Sequence, residues 1–151
     1  MAQEVIVFLA ALAPIIEVRG AVPLGILVYH LDPVKVILIS IIGSIIPIIP
    51  ILWFLNTLTE RLKKIPSFNK FIEWLFARTR SRSKLIEDFE LVGLTIFVGI
   101  PFPGTGVWTG CVAAYLLGLP LIPTFVCASI GTTIASLLMW AASTGIITLF
   151  H

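Results

Sequence analysis

Residues 91–150 read LVGLTIFVGIPFPGTGVWTGCVAAYLLGLPLIPTFVCASIGTTIASLLMWAASTGIITLF, without a single Asp, Glu, Lys or Arg. An uncharged apolar stretch longer than about 18 residues is typical of transmembrane sequence. The whole chain of 151 residues has 12% charged and 58% hydrophobic residues, whereas a soluble domain carries about 25% charged residues. We therefore predict a single all-α integral membrane domain over residues 1–151.

The positive charge of the chain is concentrated between two apolar regions. Eight of the ten Lys and Arg residues lie at positions 61–84. A basic cluster of this kind is compatible with nucleic-acid binding, but the apolar flanks favour a loop that obeys the positive-inside rule. We predict a multi-pass protein of the plasma membrane, with residues 61–84 in the cytoplasm and no nucleic-acid partner.

Apolar residues recur at helical spacing within the basic segment. They are Phe68, Phe71, Ile72 and Leu75, with polar residues between them. The pattern predicts an amphipathic helix on the membrane surface, with its basic residues toward anionic headgroups. The alternative is a helix that packs against the transmembrane body.

The sequence on either side of the basic segment follows one plan twice. Each half has a short apolar run, a break, a second short run, a turn with proline and a long apolar run. The long runs are residues 34–55 and 121–150, and at a rise of about 1.5 Å per residue each is long enough to cross a bilayer. We divide the chain into a first repeat (1–56), a linker (57–86) and a second repeat (87–151).

Small residues occupy similar places in the two long runs. Gly43 lies ten residues after Pro33, and Gly131 lies eleven residues after Pro120. Small residues at four-residue spacing, such as Ser40 and Ser44, let helices approach closely. Identity between the halves is otherwise weak, so the repeat rests on this pattern. Two prolines, Pro47 and Pro50, are expected to kink the first long helix.

The short runs have about half the length that a membrane-crossing helix needs. We expect each pair to form a re-entrant hairpin. With the linker in the cytoplasm, the first hairpin enters from outside and the second from inside. The predicted fold is an inverted repeat of a re-entrant helical hairpin plus a spanning helix, as in many secondary transporters. The alternative is that each hairpin is one kinked spanning helix.

The first break carries two charges between apolar runs, Glu17 and Arg19. A charge at membrane depth is costly, so it usually faces a cavity and finds a partner. A carboxylate that takes up a proton beside a fixed cation that holds an anionic group is typical of a transport site. The alternatives are a structural ion pair that satisfies free backbone groups and a loop among the headgroups. Gly20 and Pro23 fit a helix restart beside this site.

The second break has no charge but is rich in proline and glycine. Its candidate site residues are Pro101, Pro103, Gly104, Thr105, Gly106, Trp108 and Thr109. The prolines favour an extended backbone, and the glycines allow close approach or a positive φ. Amides at the start of the next helix can bind an anion. The indole can stack on a substrate or anchor at a membrane interface.

No other pattern in the sequence indicates chemistry. Cys111 and Cys127 lie in apolar sequence without CxxC spacing or a nearby His, which favours packed hydrophobic residues over a metal site. The sequence has no nucleophile–base set and no phosphate-binding loop. We predict no enzyme activity, no metal and no cofactor.

The two breaks resemble the signatures of a known family. Residues 14–25 read PIIEVRGAVPLG, and residues 100–110 read IPFPGTGVWTG. They resemble the first and second signatures of the small multidrug export proteins, which are also similar in chain length and basic linker. That family looks like a divergent branch of the DedA (VTT-domain) superfamily. The resemblance implies two opposed re-entrant hairpins and the movement of polyprenyl phosphate carriers across the bilayer, with coupling to protons.

By this resemblance, Glu17 and Arg19 fall on the acidic and basic positions of the first hairpin. At the second hairpin, DedA proteins carry an Arg after Pro-Gly, where this chain has Thr105 and Gly106. The leading prediction is a DedA-like flippase of a polyprenyl phosphate or another anionic lipid. The alternatives are a proton-driven exporter of drugs or cations and a membrane scaffold that transports nothing. The expected partners are membrane lipid, protons and a second copy of the chain.

Overall fold

The computed structural model describes residues 1–62, 64–67, 69–70, 73–74 and 84–149. Within these residues the regular secondary structure is helical, so the all-α prediction is confirmed for the described chain. The helices are α1 (Ala2–Leu12), α2 (Glu17–Pro23), α3 (Pro33–Ile45), α4 (Ile48–Leu62), α5 (Lys84–Gly99), α6 (Val107–Leu116) and α7 (Leu121–Leu149). A π-helical turn, Leu24–Val28, continues α2.

Local sequence determines where several helices begin and end. α1 ends because Ala13 is extended, as a residue before proline prefers to be. The Asp32 side chain accepts a hydrogen bond of 3.0 Å from the Lys35 amide and caps α3, with Pro33 in the first turn. The first long run is interrupted at Pro47, between α3 and α4. Pro50 lies in the first turn of α4, where its missing N–H is not needed.

Two helical stretches are long and apolar enough to cross a membrane. They are Pro33–Arg61, which joins α3 and α4, and Leu121–Ile146 within α7, with mean hydropathies of 2.6 and 1.8. Length and composition therefore support a membrane protein. The number of crossings, the plasma membrane and the cytoplasmic position of the linker stay predictions.

The short helices pair into two helical hairpins. α1 packs against α2 and against the π-helical turn, so the chain folds back on itself after α1. α5 and α6 also contact each other. A Cβ on Gly110 of α6 would lie 2.7 Å from Cγ2 of Val98 in α5, so the two arms approach closely. The re-entrant position of these hairpins in a bilayer stays a prediction.

The packing of the first half recurs in the second half. α1 packs along α3, and α5 packs along α7. α2 packs against α7, and α6 packs against α4, so the second arm of each hairpin contacts the long helix of the other half. This exchange joins the two halves into one helical body. Their opposite orientation across a membrane stays a prediction.

The two glycines of the long runs have the same role in this packing. A Cβ on Gly43 would lie 2.9 Å from the carbonyl oxygen of Phe8 in α1. A Cβ on Gly131 would lie 2.7 Å from the carbonyl oxygen of Thr95 in α5. In both halves, a glycine lets the long helix approach the backbone of the first hairpin arm.

The buried apolar residues form two clusters, one for each hairpin. The first joins α1, α2, the π-helical turn and α3 with Ala135 of α7, and it includes Val7, Val22 and Val36. The second joins α4, α5, α6 and α7 and includes Val98 and Cys111. The chain's two cysteines are free: the first is buried in this second cluster, and the other lies half-buried on α7.

The predicted amphipathic helix lies largely outside the described residues. Phe68, Phe71, Ile72 and Leu75, which define its apolar face, all belong to the part of the chain that the structure does not describe. The described neighbours 69–70 and 73–74 are helical. The surface helix and the division into repeats and linker therefore stay predictions.

Candidate functional site

The two breaks in the chain meet at one place. Glu17 and Arg19, the charges of the first break, lie in the short helix α2. Their side chains extend to the end of α5 and the start of α6, on either side of the second break. The structure therefore joins the candidate residues of both sequence motifs in one site.

Arg19 binds the end of α5. Its Nη2 donates hydrogen bonds of 3.0 Å to the carbonyl oxygens of Val98 and Ile100, and one of 3.1 Å to Thr105 Oγ1. The last carbonyls of a helix lack partners within the helix and carry partial negative charge. The guanidinium, whose side chain is 14% exposed, therefore caps α5 with a matching charge.

Glu17 binds the start of α6. Its Oε2 accepts a hydrogen bond of 3.3 Å from the Val107 amide, and its Oε1 accepts one of 3.2 Å from the Trp108 amide. The first amides of a helix lack partners within the helix and carry partial positive charge. Glu17 is only 4% exposed, so its carboxylate depends on these protein donors.

The two charges also bind each other. Arg19 Nη1 donates a hydrogen bond of 2.7 Å to Glu17 Oε2. Removing one partner from a buried ion pair costs about 3–5 kcal/mol, because an uncompensated charge is left behind. The geometry matches the alternative of a structural ion pair that satisfies free backbone groups. The charges belong to the first break, but the backbone groups that they satisfy belong to the second break.

Glu17 has a backbone conformation that is uncommon for a residue with a side chain. Its φ is 47°, in the left-handed region, where residues other than glycine are rare. The residue stands at the entry to α2, where the chain reverses direction after α1. Its three side-chain hydrogen bonds hold it there, and strained residues of this kind cluster at functional sites.

Gly106 makes room for the Glu17 carboxylate. A Cβ at this position would lie 2.7 Å from both Cδ and Oε1 of Glu17. The φ of Gly106 is 179°, an extended value open to any residue. Glycine is therefore required here by space. Gly104 differs, because its φ of 86° favours glycine while a Cβ there would have open space around it.

The hydroxyl of Thr105 lies within hydrogen-bond distance of the Arg19 guanidinium. Its Oγ1 lies 2.8 Å from the Ile100 carbonyl oxygen and 2.9 Å from that of Phe102, and it can donate to either. The same oxygen accepts the hydrogen bond from Arg19. The second break thus has a cation against it, although its own sequence contains none.

A small open cleft lies beside the ion pair. Its lining residues are Pro14, Ile15, Glu17, Arg19, Pro103, Gly104, Thr105, Gly106 and Thr109. The empty volume is about 280 Å³, part of which is open solvent. Pockets for whole small molecules measure about 300–1,000 Å³. The cleft in this state therefore has room for one polar group of a larger molecule.

A comparison with known families matches the region that contains this site. The family described as Putative small multi-drug export protein matches residues 17–138, which is more than half of the chain. The chain belongs to this family. No curated protein and no solved structure matches it. The predicted family is confirmed, and its description indicates export across a membrane rather than catalysis. The link to the DedA superfamily stays a prediction.

The cleft of this small multi-drug export protein contains most of the predicted site residues, but not all. Gly20, Pro23, Pro101 and Trp108 are absent from its lining. Trp108 contributes its backbone amide, which binds Glu17. Pro23 ends α2, before the π-helical turn.

Sequence reasoning missed the backbone groups of the site. The carbonyl oxygens of Val98 and Ile100 bind Arg19, and the Val107 amide binds Glu17. A usable signal existed, because a helix that ends before proline and restarts after glycine leaves free carbonyls and free amides. The sequence did not indicate which charged side chains would bind these free carbonyls and amides.

Two N–H groups of the site residues have no hydrogen-bond partner. They are Arg19 Nε and Trp108 Nε1, and both are buried. Among the described residues, the other buried side-chain atoms in this condition are Ser40 Oγ and Thr124 Oγ1. Buried polar groups are normally hydrogen-bonded. Arg19, which lines the cleft, therefore has one N–H group without an acceptor, whereas Trp108 lies outside the lining.

Proposed function

We propose that the chain is a membrane exporter whose substrate passes the junction of the two hairpins. The observation that carries the proposal is the meeting of both breaks at Glu17 and Arg19, beside an open cleft. Ionisable residues within membrane helices are costly and mark substrate or ion pathways. Substrate sites of secondary transporters lie where broken helices of two repeats meet.

In this proposal the hairpins are re-entrant and enter from opposite sides of the plasma membrane. The exchanged packing of α2 with α7 and of α6 with α4 supports an inverted repeat, as do the matched contacts of Gly43 and Gly131. The meeting of the tips also covers irregular backbone, which is tolerated at membrane depth only where protein or a water-filled cavity surrounds it. The basic segment, residues 61–84, then lies in the cytoplasm.

The leading substrate in this proposal is an anionic lipid such as a polyprenyl phosphate. The unpaired Nε–H of Arg19, a residue that lines the cleft, supports it, since a phosphate supplies acceptors. The Glu17 carboxylate already accepts three hydrogen bonds, so it is poorly available to a cationic substrate. In this mechanism Glu17 takes up a proton and gives up the guanidinium, and Arg19 then holds the headgroup.

A second candidate function is proton-driven export of drugs or other small cations. The family description, which names multi-drug export, favours it. Here Glu17 binds the substrate after Arg19 has moved away. The two candidates use the same residues with opposite roles, so the charge of the substrate distinguishes them.

Transport by purified protein in liposomes tests the shared part of the proposal. Arg19→Ala and Glu17→Gln are expected to lower the transport rate at least about tenfold, because each removes a charge from the pathway. Lys35→Ala is the matched control, since Lys35 is an exposed charge outside the site. Size-exclusion profiles and helical circular dichroism verify that the variants are folded. Normal transport by both site variants would exclude this mechanism, and no transport by the unsubstituted protein would favour the scaffold.

Binding measurements separate the two substrates. Thermal stabilisation of the purified protein is compared for a polyprenyl phosphate, the matching neutral polyprenol and a lipophilic cation. Stabilisation that requires the phosphate and is lost in Arg19→Ala supports the anionic lipid. Stabilisation by the cation that is lost in Glu17→Gln supports drug export instead.

A further inference from the structure

We infer that the ion pair of Glu17 and Arg19 is a latch: it holds the second hairpin closed over the buried thiol of Cys111, and its release exposes that thiol. The inference concerns a conformational step and does not depend on which substrate is moved. It follows from three features of the contacts around the pair.

The first feature is that each charge holds a different arm of the same hairpin. Arg19 binds the carbonyl oxygen of Val98 at the end of α5. Glu17 binds the amides of Val107 and Trp108 at the start of α6. The hydrogen bond between the two charges therefore connects the two arms from outside the hairpin, through α2.

The second feature is that the contacts share one atom. Glu17 Oε2 accepts both from Arg19 Nη1 and from the Val107 amide. A change at this oxygen, such as protonation of the carboxylate, therefore weakens its contacts with the guanidinium and with the amide together. When contacts are lost together, the second hairpin has two arrangements, closed and open, as a gate requires.

The third feature is the position of Cys111 behind the latch. Val107, Cys111 and Ala114 form the buried face of α6, and Cys111 is one helical turn beyond the residue that Glu17 binds. Cys111 belongs to the cluster that contains Leu94 and Val98 of α5. The arm that Arg19 holds is therefore one of the elements packed around the thiol, together with α4 and α7.

The chain's own cysteines provide the test. In a Cys127→Ser background Cys111 is the single thiol, and N-ethylmaleimide labelling of the protein in liposomes measures its exposure. A buried group reacts in proportion to the population of the open form. With the latch intact we expect slow labelling. Arg19→Ala and Glu17→Ala are each expected to raise the rate at least about tenfold, as a loss of about 1.4 kcal/mol or more in the closed state relative to the open state would do.

Two controls separate a local opening from general unfolding. Ser40→Cys, in a chain without its native thiols, is the reporter for the first half, because Ser40 is fully buried in α3. Its labelling should not change in the latch variants. Ser44→Ala removes a hydrogen bond of 2.9 Å to the Ala11 carbonyl, away from the latch. It should leave Cys111 labelling unchanged.

Faster labelling of Cys111 alone supports the latch. Equal acceleration of the Ser40→Cys reporter, or unchanged labelling of Cys111, overturns it, because the variants would then open the whole body or leave the thiol covered. The readout is independent of transport. A failed latch and a failed transport function are therefore distinguishable in the same variants.

Discussion

Arg19 donates a hydrogen bond of 2.7 Å to Glu17, while the two side chains cap different helices of the other half of the chain. Residues two apart on a regular helix point to different faces. The left-handed backbone of Glu17 removes this restriction at the entry to α2. Two neighbours in sequence therefore reach the negative end of α5 and the positive end of α6 at the same time.

This arrangement predicts strong coupling between the two charges. Glu17→Ala or Arg19→Ala alone is expected to lower the free energy of unfolding by about 3–5 kcal/mol, because each leaves a buried charge unpaired. The double variant should lose clearly less than the sum of the single losses. Denaturant unfolding in detergent micelles gives the free energy of unfolding of the unsubstituted protein, the two single variants and the double variant. Additive losses would mean that the charges are stabilised separately by the helix ends.

The space at Gly106 gives a second prediction. Gly106→Ala introduces a Cβ against the Glu17 carboxylate, so we expect a loss of about 1–3 kcal/mol from overpacking. The control is Gly93→Ala in α5, where a Cβ meets nothing within 4 Å. It should be neutral or stabilising by about 0.5–1 kcal/mol, since alanine is the better helix former.

A further variant checks the cause of the Gly106 effect. If the carboxylate is the group displaced, Gly106→Ala should cost much less in a Glu17→Ala background, because the obstructing atoms are then absent. Melting temperatures of the single and double variants give the comparison. An undiminished loss in that background would show that the backbone of the second break, and not Glu17, requires glycine.

Local signals explain how much of this site the sequence predicted. Hydrophobic runs interrupted by proline and glycine predicted the helices and the two breaks, because such signals act within a few residues. The sequence also predicted that Glu17 and Arg19 would find partners. It did not predict that both would serve the second break, because that depends on how α2 packs across the chain.

The same limit applies to the missing charge of the second break. By the predicted resemblance, its sequence has Thr105 and Gly106 where DedA proteins carry an Arg, which predicted a site without a cation there. The structure places the Arg19 guanidinium on Thr105 Oγ1, at 3.1 Å. Tertiary packing therefore brings the Arg19 cation to the second break, which has no cation in its own sequence. Gly106, next to Thr105, leaves space for the Glu17 carboxylate.

Two serines of α3 form a matched pair for a third prediction. Ser40 and Ser44 are both buried. Ser44 Oγ donates to the Ala11 carbonyl oxygen at 2.9 Å, whereas Ser40 Oγ has no partner. Ser44→Ala should cost about 1 kcal/mol through the lost hydrogen bond, and Ser40→Ala should be neutral or stabilising. Denaturant unfolding compares the two, and equal losses would contradict the assigned contacts.

The last prediction concerns the re-entrant hairpin, which distinguishes the proposed inverted repeat from a bundle of crossing helices. Gln3 and Asp32 flank the first hairpin and are both exposed. Single cysteines at these positions, in a chain without its native thiols, are labelled from either side of sealed vesicles. A re-entrant hairpin places both on the same, outer side, because α1 and α2 then enter and leave by one face.

The comparison for that experiment is a cysteine at Lys64, an exposed residue of the basic segment. It should be labelled from the cytoplasmic side under the positive-inside rule. Labelling of Gln3→Cys from the cytoplasm and of Asp32→Cys from outside would mean that the first hairpin crosses the membrane as a kinked helix. The site of Glu17 and Arg19 would then lie within a spanning segment, and the inverted repeat would be wrong.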